Sequence, residues 1–392
     1  MINRLLKMII VFIIILTLTT GCWDRVEINE RLFIMSVAMD LYKDEDENGE
    51  GRKTKKPSEN KFTMTYVMPN FENIQTKTTG KSPKVKHVLK TVAKNPYEGS
   101  RQVSSKATGN TFFKHMKVAV MGLDVTKNPI YFRQMIDALN RQDDITRKLE
   151  LFVAEGRGDE IVEANPKIQP LVASYLQDLT EKPKVTSTYI PQNLEEVVAS
   201  LKTSKTALIP KVTVSSAKDE VKVEGSALIK DYKFIDWLGV KETRAVSILK
   251  KKSNNDIFNV IHKNITIPYI THDIHVFRNL RIEDDKIVMD IKVTTEGGTS
   301  EYILNGKPEL SNDNFLKELE KKAEQVIKGE IDYTLNKLQK ELNTDVVGIG
   351  DYISKFEPKL WKEIKNDWDH IFPEVKINVS VDARFRRTGS IK

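Results

Sequence analysis

Residues 117–154 read KVAVMGLDVTKNPIYFRQMIDALNRQDDITRKLELFVA, and the spacing of their apolar residues changes twice along the way. Lys117 to Gly122 and Leu149 to Ala154 are short apolar runs of strand length. Between them, Asn128-Pro129 starts a helix through about Asn140, with Ile130, Phe132, Ile136 and Leu139 near helical spacing. Asp159 to Ala164 then reads as a short second helix. This strand–helix–strand–helix order predicts an α/β layer with a crossover connection.

Towards the amino terminus, Phe33 to Tyr42 reads as a buried strand. Lys61 to Met68 alternates Phe62, Met64, Tyr66 and Met68 on one face, the period of a half-buried strand. The loop Lys43–Asn60 between them has an acidic block, then a basic one, and no large apolar residue, so it cannot repay its ordering entropy. Asp44, Glu45, Asp46 and Glu47 lack the ligand spacing of a calcium loop. A second polar stretch, about Glu72 to Lys86, precedes an expected helix at His87 to Lys94.

Towards the carboxyl terminus, Pro166, Pro170, Pro183 and Pro191 punctuate the chain before a helix at Leu194 to Leu201. From Lys211 the character turns to β: VTVSS, EVKVEGSAL and Lys233 to Trp237. A helix at Lys241 to Leu249 follows, then strand candidates at Ile257 to Ile267, His272 to Leu280 and Lys286 to Thr294. The longest helix runs from about Asn314 to Leu342, with Phe315, Leu319, Ala323, Val326, Ile327, Ile331, Leu335, Leu338 and Leu342 three or four apart. Ser311 and Asn312 offer N-caps. Pro358 suits the first turn of a further helix carrying Leu360, Trp361, Ile364 and Trp368. The last strand, VKINVSVDARF, buries one face. The fold class expected is α+β and multi-domain: mixed and antiparallel sheets flanked by helices, with a long C-terminal amphipathic helix. The segments expected are a signal at 1–21, an α/β domain at 22–205, a β-rich domain at 206–265 and an α+β domain at 266–392.

The first residues carry Arg4 and Lys7, Met8 to Leu18 are uncharged, and Thr20-Gly21 precedes Cys22. A basic start, an apolar core of ~7–15 residues and small residues before a cut are the parts of a secretory signal. A spanning helix needs ~20 apolar residues, and this run is shorter. Cys22 is the only cysteine, so no intramolecular disulfide forms. It is the expected acceptor of a diacylglyceryl group and an N-acyl chain. Two acyl chains on one glyceryl group meet the requirement for stable anchoring that one chain does not. The net charge of +7, reduced by Arg4 and Lys7 once the signal is cut, leaves a mildly basic chain with no Lys/Arg stripe of a nucleic-acid binder.

A catalytic reading requires a converging nucleophile, base and orienter, or a metal cluster. The lone thiol is assigned to lipid, and the six histidines are scattered. His272 and His275 are separated by an odd offset, which on a strand points them to opposite faces. Phosphate loops and the HExxH zinc motif are absent. Arg157-Gly158-Asp159 reads as a chance occurrence, and the glycosylation patterns at Asn264 and Asn378 both fall in expected strands. No catalytic, cofactor or metal residues are assigned.

Several passages together resemble the Ger(x)C family, the C-subunit lipoproteins of spore germinant receptors. The likeness begins at Gly21-Cys22-Trp23-Asp24-Arg25 with Glu27-Ile28, and continues through His115-Met116-Lys117 and Asp144-Ile145-Thr146-Arg147. It is fullest in VEGSALIKDYKFIDWL with Glu242-Thr243-Arg244, in Asp345 to Gly350, in Pro358 to Trp361, in Asp367-Trp368 with Phe372-Pro373, and in Arg387-Thr388-Gly389. The loop at 43–60 and the stretch GRGDE depart from the family pattern. The resemblance implies three α+β domains. It also implies a non-enzymatic subunit on the outer surface of the spore inner membrane, beside an A subunit and a transporter-like B subunit, both polytopic, with germinant binding on the latter. A solute-binding lipoprotein of a transporter is the main alternative. It shares the lipidated cysteine, but its two similar lobes have no counterpart in a chain whose second half does not repeat the first. A wall-polymer enzyme, the other alternative, would need a marked carboxylate pair.

Overall fold

In a computed structural model, residues 4, 31–43, 61–70, 85–107, 109–181, 188–253, 255–284, 286–299 and 313–387 are described. The stretch at 117–154 folds as its spacing requires, and the first half of the chain is built around it. In chain order come β1 (Arg31–Phe33), β2 (Ser36–Leu41), β3 (Phe62–Pro69), β4 (Lys86–Ala93), α1 (Pro96–Lys106), β5 (Asn110–Phe112), β6 (Val118–Met121), α2 (Leu123–Lys127), α3 (Pro129–Arg141), β7 (Glu150–Ala154), α4 (Gly158–Glu163), α5 (Val172–Glu181), α6 (Leu194–Thr203), β8 (Thr206–Val214), β9 (Val221–Lys230) and β10 (Lys233–Leu238). One eight-stranded sheet has the order β10-β9-β8-β7-β6-β2-β3-β4, and β1 pairs with β5 apart from it. The middle strands β2, β6, β7 and β8 are parallel, with antiparallel strands on either side.

Parallel strands need crossovers, and crossovers cover both faces. One face packs Met39, Met64 and Leu151 against Phe132, Met135 and Leu194 of α3 and α6. The other packs Ala38, Val120 and Phe152 against Ile161 and Leu176 of α4 and α5. The half-buried reading of β3 is therefore corrected: all eight of its residues are buried, since Thr63, Thr65 and Val67 face the second layer. The helix expected at 87–94 is also corrected. Val88, Thr91 and Val92 favour a pleated surface, and β4 pairs antiparallel with β3 through Tyr66↔Leu89. The helix starts later, at Pro96, where Asn95 accepts a bond from the Glu98 amide.

The second sheet holds β11 (Ile257–His262), β12 (Ile265–Glu283), β13 (Lys286–Gly298) and β14 (Lys376–Arg387) in that order, the last pair parallel. It is joined to the first by α7 (Val240–Leu249). The strand expected over 257–267 instead turns back at Lys263 and Asn264, both left-handed, with φ of 45° and 66°. Asn264 thus sits in a hairpin turn, while Asn378 is in a strand. One long helix, α8 (Asp313–Asn336), crosses the sheet and ends in a wider π-type turn at Lys337–Glu341. Its core stripe is Phe315, Leu319, Ala323, Ile327, Ile331 and Leu335; the proposed caps Ser311 and Asn312 lie outside the described residues. Three short helices, α9 (Ile349–Phe356), α10 (Pro358–Ile364) and α11 (Trp368–Ile371), lead into β14.

The block expected at 206–265 is split between these sheets. β8 to β10 complete the first, and β11 opens the second. A change to β-rich composition marks strand type, but partner choice decides sheet membership. β8 pairs in parallel with β7 through Val153↔Lys211, and the hairpin that follows is added to it.

Candidate functional site

The expected lipid acceptor, Cys22, lies outside the described residues, as do Asp44 to Glu47. Elsewhere, the segments from 225 to 244, 345 to 350 and 358 to 373 come together where the two sheets meet. Gly225 of β9 has φ +79°, and a Cβ there would stand 2.5 Å from the Leu238 carbonyl. That carbonyl also accepts from the Thr243 hydroxyl at 3.3 Å, which ties the start of α7 to the β9–β10 hairpin. From α7, Arg244 reaches α8. Its Nε and Nη2 donate to Glu330 at 3.1 and 2.6 Å, and both side chains are only 14% exposed. The guanidinium also lies 4.4 Å over the Phe258 ring. Two residues back, Glu242 meets Lys337 at 3.3 Å, and Asp236 of β10 meets the same ammonium at 3.5 Å. The Glu-Thr-Arg segment thus ties α7 to Glu330 of α8 and to Lys337, two turns further on.

The loop after α8 is organised by one carboxylate. Asp345 accepts from the amides of Gly348, Ile349 and Gly350 at 2.9, 3.0 and 2.7 Å, capping α9. Burial pushes its pKa up, opposed by these three amides. Gly350 has no Cβ because there is no room for one: it would lie 2.8 Å from Trp361 and 3.0 Å from Trp368. The two indoles meet edge to face at 5.4 Å, and Trp368 packs on Phe372. Arg278 of β12 donates to the carbonyls of Gly348, Val347 and Leu249. From the first sheet, Lys230 reaches Asn343 O at 2.7 Å and Asp369 at 2.9 Å, and Thr206 reaches Asp345 O at 3.3 Å. A cavity of about 120 Å³ remains between Thr206, Lys230, Trp361 and Trp368. Most of these polar groups meet backbone atoms or ion pairs that bridge the two sheets, while Arg278 Nε is buried without a partner among the described residues.

A second cluster sits where the parallel strands end. Asp40, at the end of β2, accepts from the amides of Gly158 and Asp159 at 2.7 and 2.9 Å. A carboxylate of the chain itself thus occupies the position at the start of α4 that an anion would take. Gly158 is confined, since a Cβ would meet Val120 O at 2.9 Å. Arg157 forms two bonds to Asp159, and Lys90 adds a third at 2.9 Å, so the Arg-Gly-Asp tripeptide is paired internally. Burial, then the nearby Asp159, pushes the Asp40 pKa up to about 6. The folded chain therefore keeps a proton between about pH 4 and 6 that the unfolded chain has lost. Stability from this group is present below about pH 4 and disappears as pH rises through about 6, a difference of about 3 kcal/mol. Asp40→Asn is expected to flatten urea-melt stability across that window; an equally steep curve would assign the dependence elsewhere.

His272 is the extra residue where the β12–β13 register shifts between Thr271 and Asp273, so simple alternation does not place it. His275 is exposed beside Asp273 at 3.5 Å. Among the described residues, no group of three His, Cys, Asp or Glu could hold a metal ion. Nor, among them, is any helix long and apolar enough to cross a membrane.

Fold and seam together define an α+β scaffold of two sheets locked through one long helix. Two family models match it: the spore germination protein N-terminal domain over residues 24–214, and the spore germination B3/GerAC-like C-terminal domain over 224–389. The chain belongs to this family of GerAC-like spore germination proteins, which are germinant receptor components. The unmatched gap falls at the turn between β8 and β9. The chain is similar to spore germination protein YndF of Bacillus subtilis, at 24% identity over 100% of this chain and 98% of that one. It is 24% identical to spore germination protein B3 of the same organism, over 98% of each. The crystal structure of the GerBC protein shares the fold, with a TM-score of 0.58 and 20% identity, covering 83% of this chain and 94% of that one.

Proposed function

We propose that this chain is the lipid-anchored, non-catalytic C-type subunit of a nutrient germinant receptor. It is exported, carries acyl chains on Cys22 and sits on the outer surface of the spore inner membrane beside the polytopic A and B subunits. Family membership across both halves supports the receptor role. The observation that carries the non-catalytic reading is the seam, where Gly225 and Arg244 secure α7 and Asp345, Gly350, Trp361 and Trp368 hold one another in structural contacts. Confinement to a membrane plane raises effective concentration beside membrane partners, which suits a subunit whose task is assembly.

Cys22→Ala is the test. The variant is expected to leave the membrane fraction for the soluble one. Its spores lose most nutrient-triggered germination yet respond normally to calcium dipicolinate, which bypasses the receptor. Full membrane retention of the variant would refute the anchor. Normal nutrient germination with a soluble subunit would refute the need for it.

A further inference from the structure

Among the described residues, the last strand of the second sheet has an open edge, covered only at its two ends. β14 pairs with β13 on one side alone. Val375, Val379, Ala383 and Phe385 are buried against the core beneath α8. In a strand, a residue's N–H and C=O point together to one neighbour, and alternate residues point the same way. The side-chain bonds show which residues face the open edge. The amides of Ala383 and Phe385 donate to Glu324 and Glu320 of α8, at 3.2 and 2.9 Å. At the other end, Gln339 donates to the Val375 carbonyl at 3.0 Å. Odd-numbered residues therefore face outward, and Ile377, Val379 and Val381 each turn an N–H and a C=O to the edge. Among the described residues, no side chain caps these three.

The flank of α8 that supplies the caps is one stripe at four-residue spacing: Glu320, Glu324, Lys328, Asp332 and Asn336. Lys328 and Asp332 pair with each other. Opposite 377–379 this leaves a groove of about 400 Å³, walled by Lys328, Asp332, Asn336 and Gln339. Exposed strand edges are normally blocked. Among the described residues, blocking groups stand at both ends and none at the middle.

We propose that residues 377–381 are a docking slot in which a short extended segment of a receptor partner adds as a fifth strand. The partner identity rests on the receptor reading above. The slot is five residues long, about 16 Å at ~3.3 Å per residue, and presents three N–H and three C=O groups. Main-chain pairing supplies affinity in such additions, and alternate side chains supply selectivity. The inward side chains of the added strand meet Lys328, Asp332 and Asn336, so polar residues are required there. A second copy of β14 fits poorly, because two strands of this length laid edge to edge would meet Glu320, Glu324 and Gln339 on both copies.

The test uses the full-length tagged chain, purified from detergent-solubilised membranes that also contain the A- and B-type subunits. Asn336→Trp fills the groove from an exposed helix position. Val381→Pro removes one edge N–H without touching the ladder to β13. Both variants are expected to melt within a few degrees of wild type and to bring down at least fivefold less of the partner subunits. Amide exchange across 376–382 is expected to slow at least tenfold in the wild-type complex. If both variants keep full partner yield, or exchange is unchanged in the complex, the slot is refuted while the receptor reading stands. If the wild-type chain recovers neither subunit, the receptor reading falls and takes this occupant with it. A wild-type dimer in isolation that Asn336→Trp abolishes would make the occupant a second copy and overturn the partner assignment.

Discussion

Asp345→Ala is expected to lower the unfolding free energy by about 3 kcal/mol, because it leaves buried amides without an acceptor. An ordinary N-cap truncation costs roughly 0.5–2 kcal/mol, since water replaces the lost oxygen. Here three amides lose their acceptor at once, since Gly348, Ile349 and Gly350 all donate to the part-buried Asp345. The loss also propagates. α9 holds Gly350 against Trp361 and Trp368, and the backbone around Asp345 receives Lys230, Lys250, Thr206 and Arg278. Tryptophan fluorescence should therefore shift to the red in the folded variant, at denaturant concentrations where far-ultraviolet dichroism is unchanged. A variant with wild-type emission and a loss under 1 kcal/mol would show that the loop holds its shape without the carboxylate.

Much of this fold can be read from the chain, for definite reasons. The stripe Phe315 to Leu335 is strictly periodic, and α8 follows it. Apolar runs with no polar alternation, such as VAVM, mark strands covered on both faces, and β6 is one. Two failures share a cause. Thr63 and Thr65 look solvent-facing, and Lys86 to Ala93 looks helical, but β3 lies under α4 from about 95 positions away, and β4 is held by pairing with β3 across the intervening loop. Composition likewise cannot say that β8 pairs with β7, so the domain edge at 205 has no counterpart in the sheet. The helix at Pro96 was missed because PYEGSRQVSSK is poor in helix formers. Its Gly99 is there to let the helix approach Met64 and Tyr66.

The seam was legible in part. Asp345, Gly348 and Gly350 are close in sequence, but an aspartate four residues ahead of Ile349 stands too far from the helix start to read as an N-cap. That Gly350 exists to admit two indoles depends on Trp361 and Trp368 being folded back over it. No local pattern announces that. Asp40 is harder still: its partners are 118 and 119 residues away, and a lone acid at the end of an apolar strand reads as a surface residue. The slot on β14 was hidden because a strand's sequence does not state which neighbour its edge lacks.

Arg244→Met is expected to cost about 3–5 kcal/mol, the usual result of removing one partner from a buried pair. Glu330 would remain as a charge only 14% exposed, and the contact with the Phe258 ring and the bond to Ile257 O would go as well. The double variant Arg244→Met, Glu330→Leu is expected to recover to within about 1 kcal/mol of wild type, because apolar side chains of similar volume suit the site. Urea melts of the four chains give the coupling directly; a double variant no more stable than the single one would show that the pair supplies net stability. The informative measurement comes after recovery. If the ion pair serves to set the position of α8 along its axis, the stable double variant should still show faster amide exchange at Ala383 and Phe385. Those amides depend on Glu324 and Glu320 standing opposite them, and a small slide of the helix would part them. Unchanged exchange there would mean that the apolar stripe alone fixes the register, and that the Glu-Thr-Arg segment acts only through local stability.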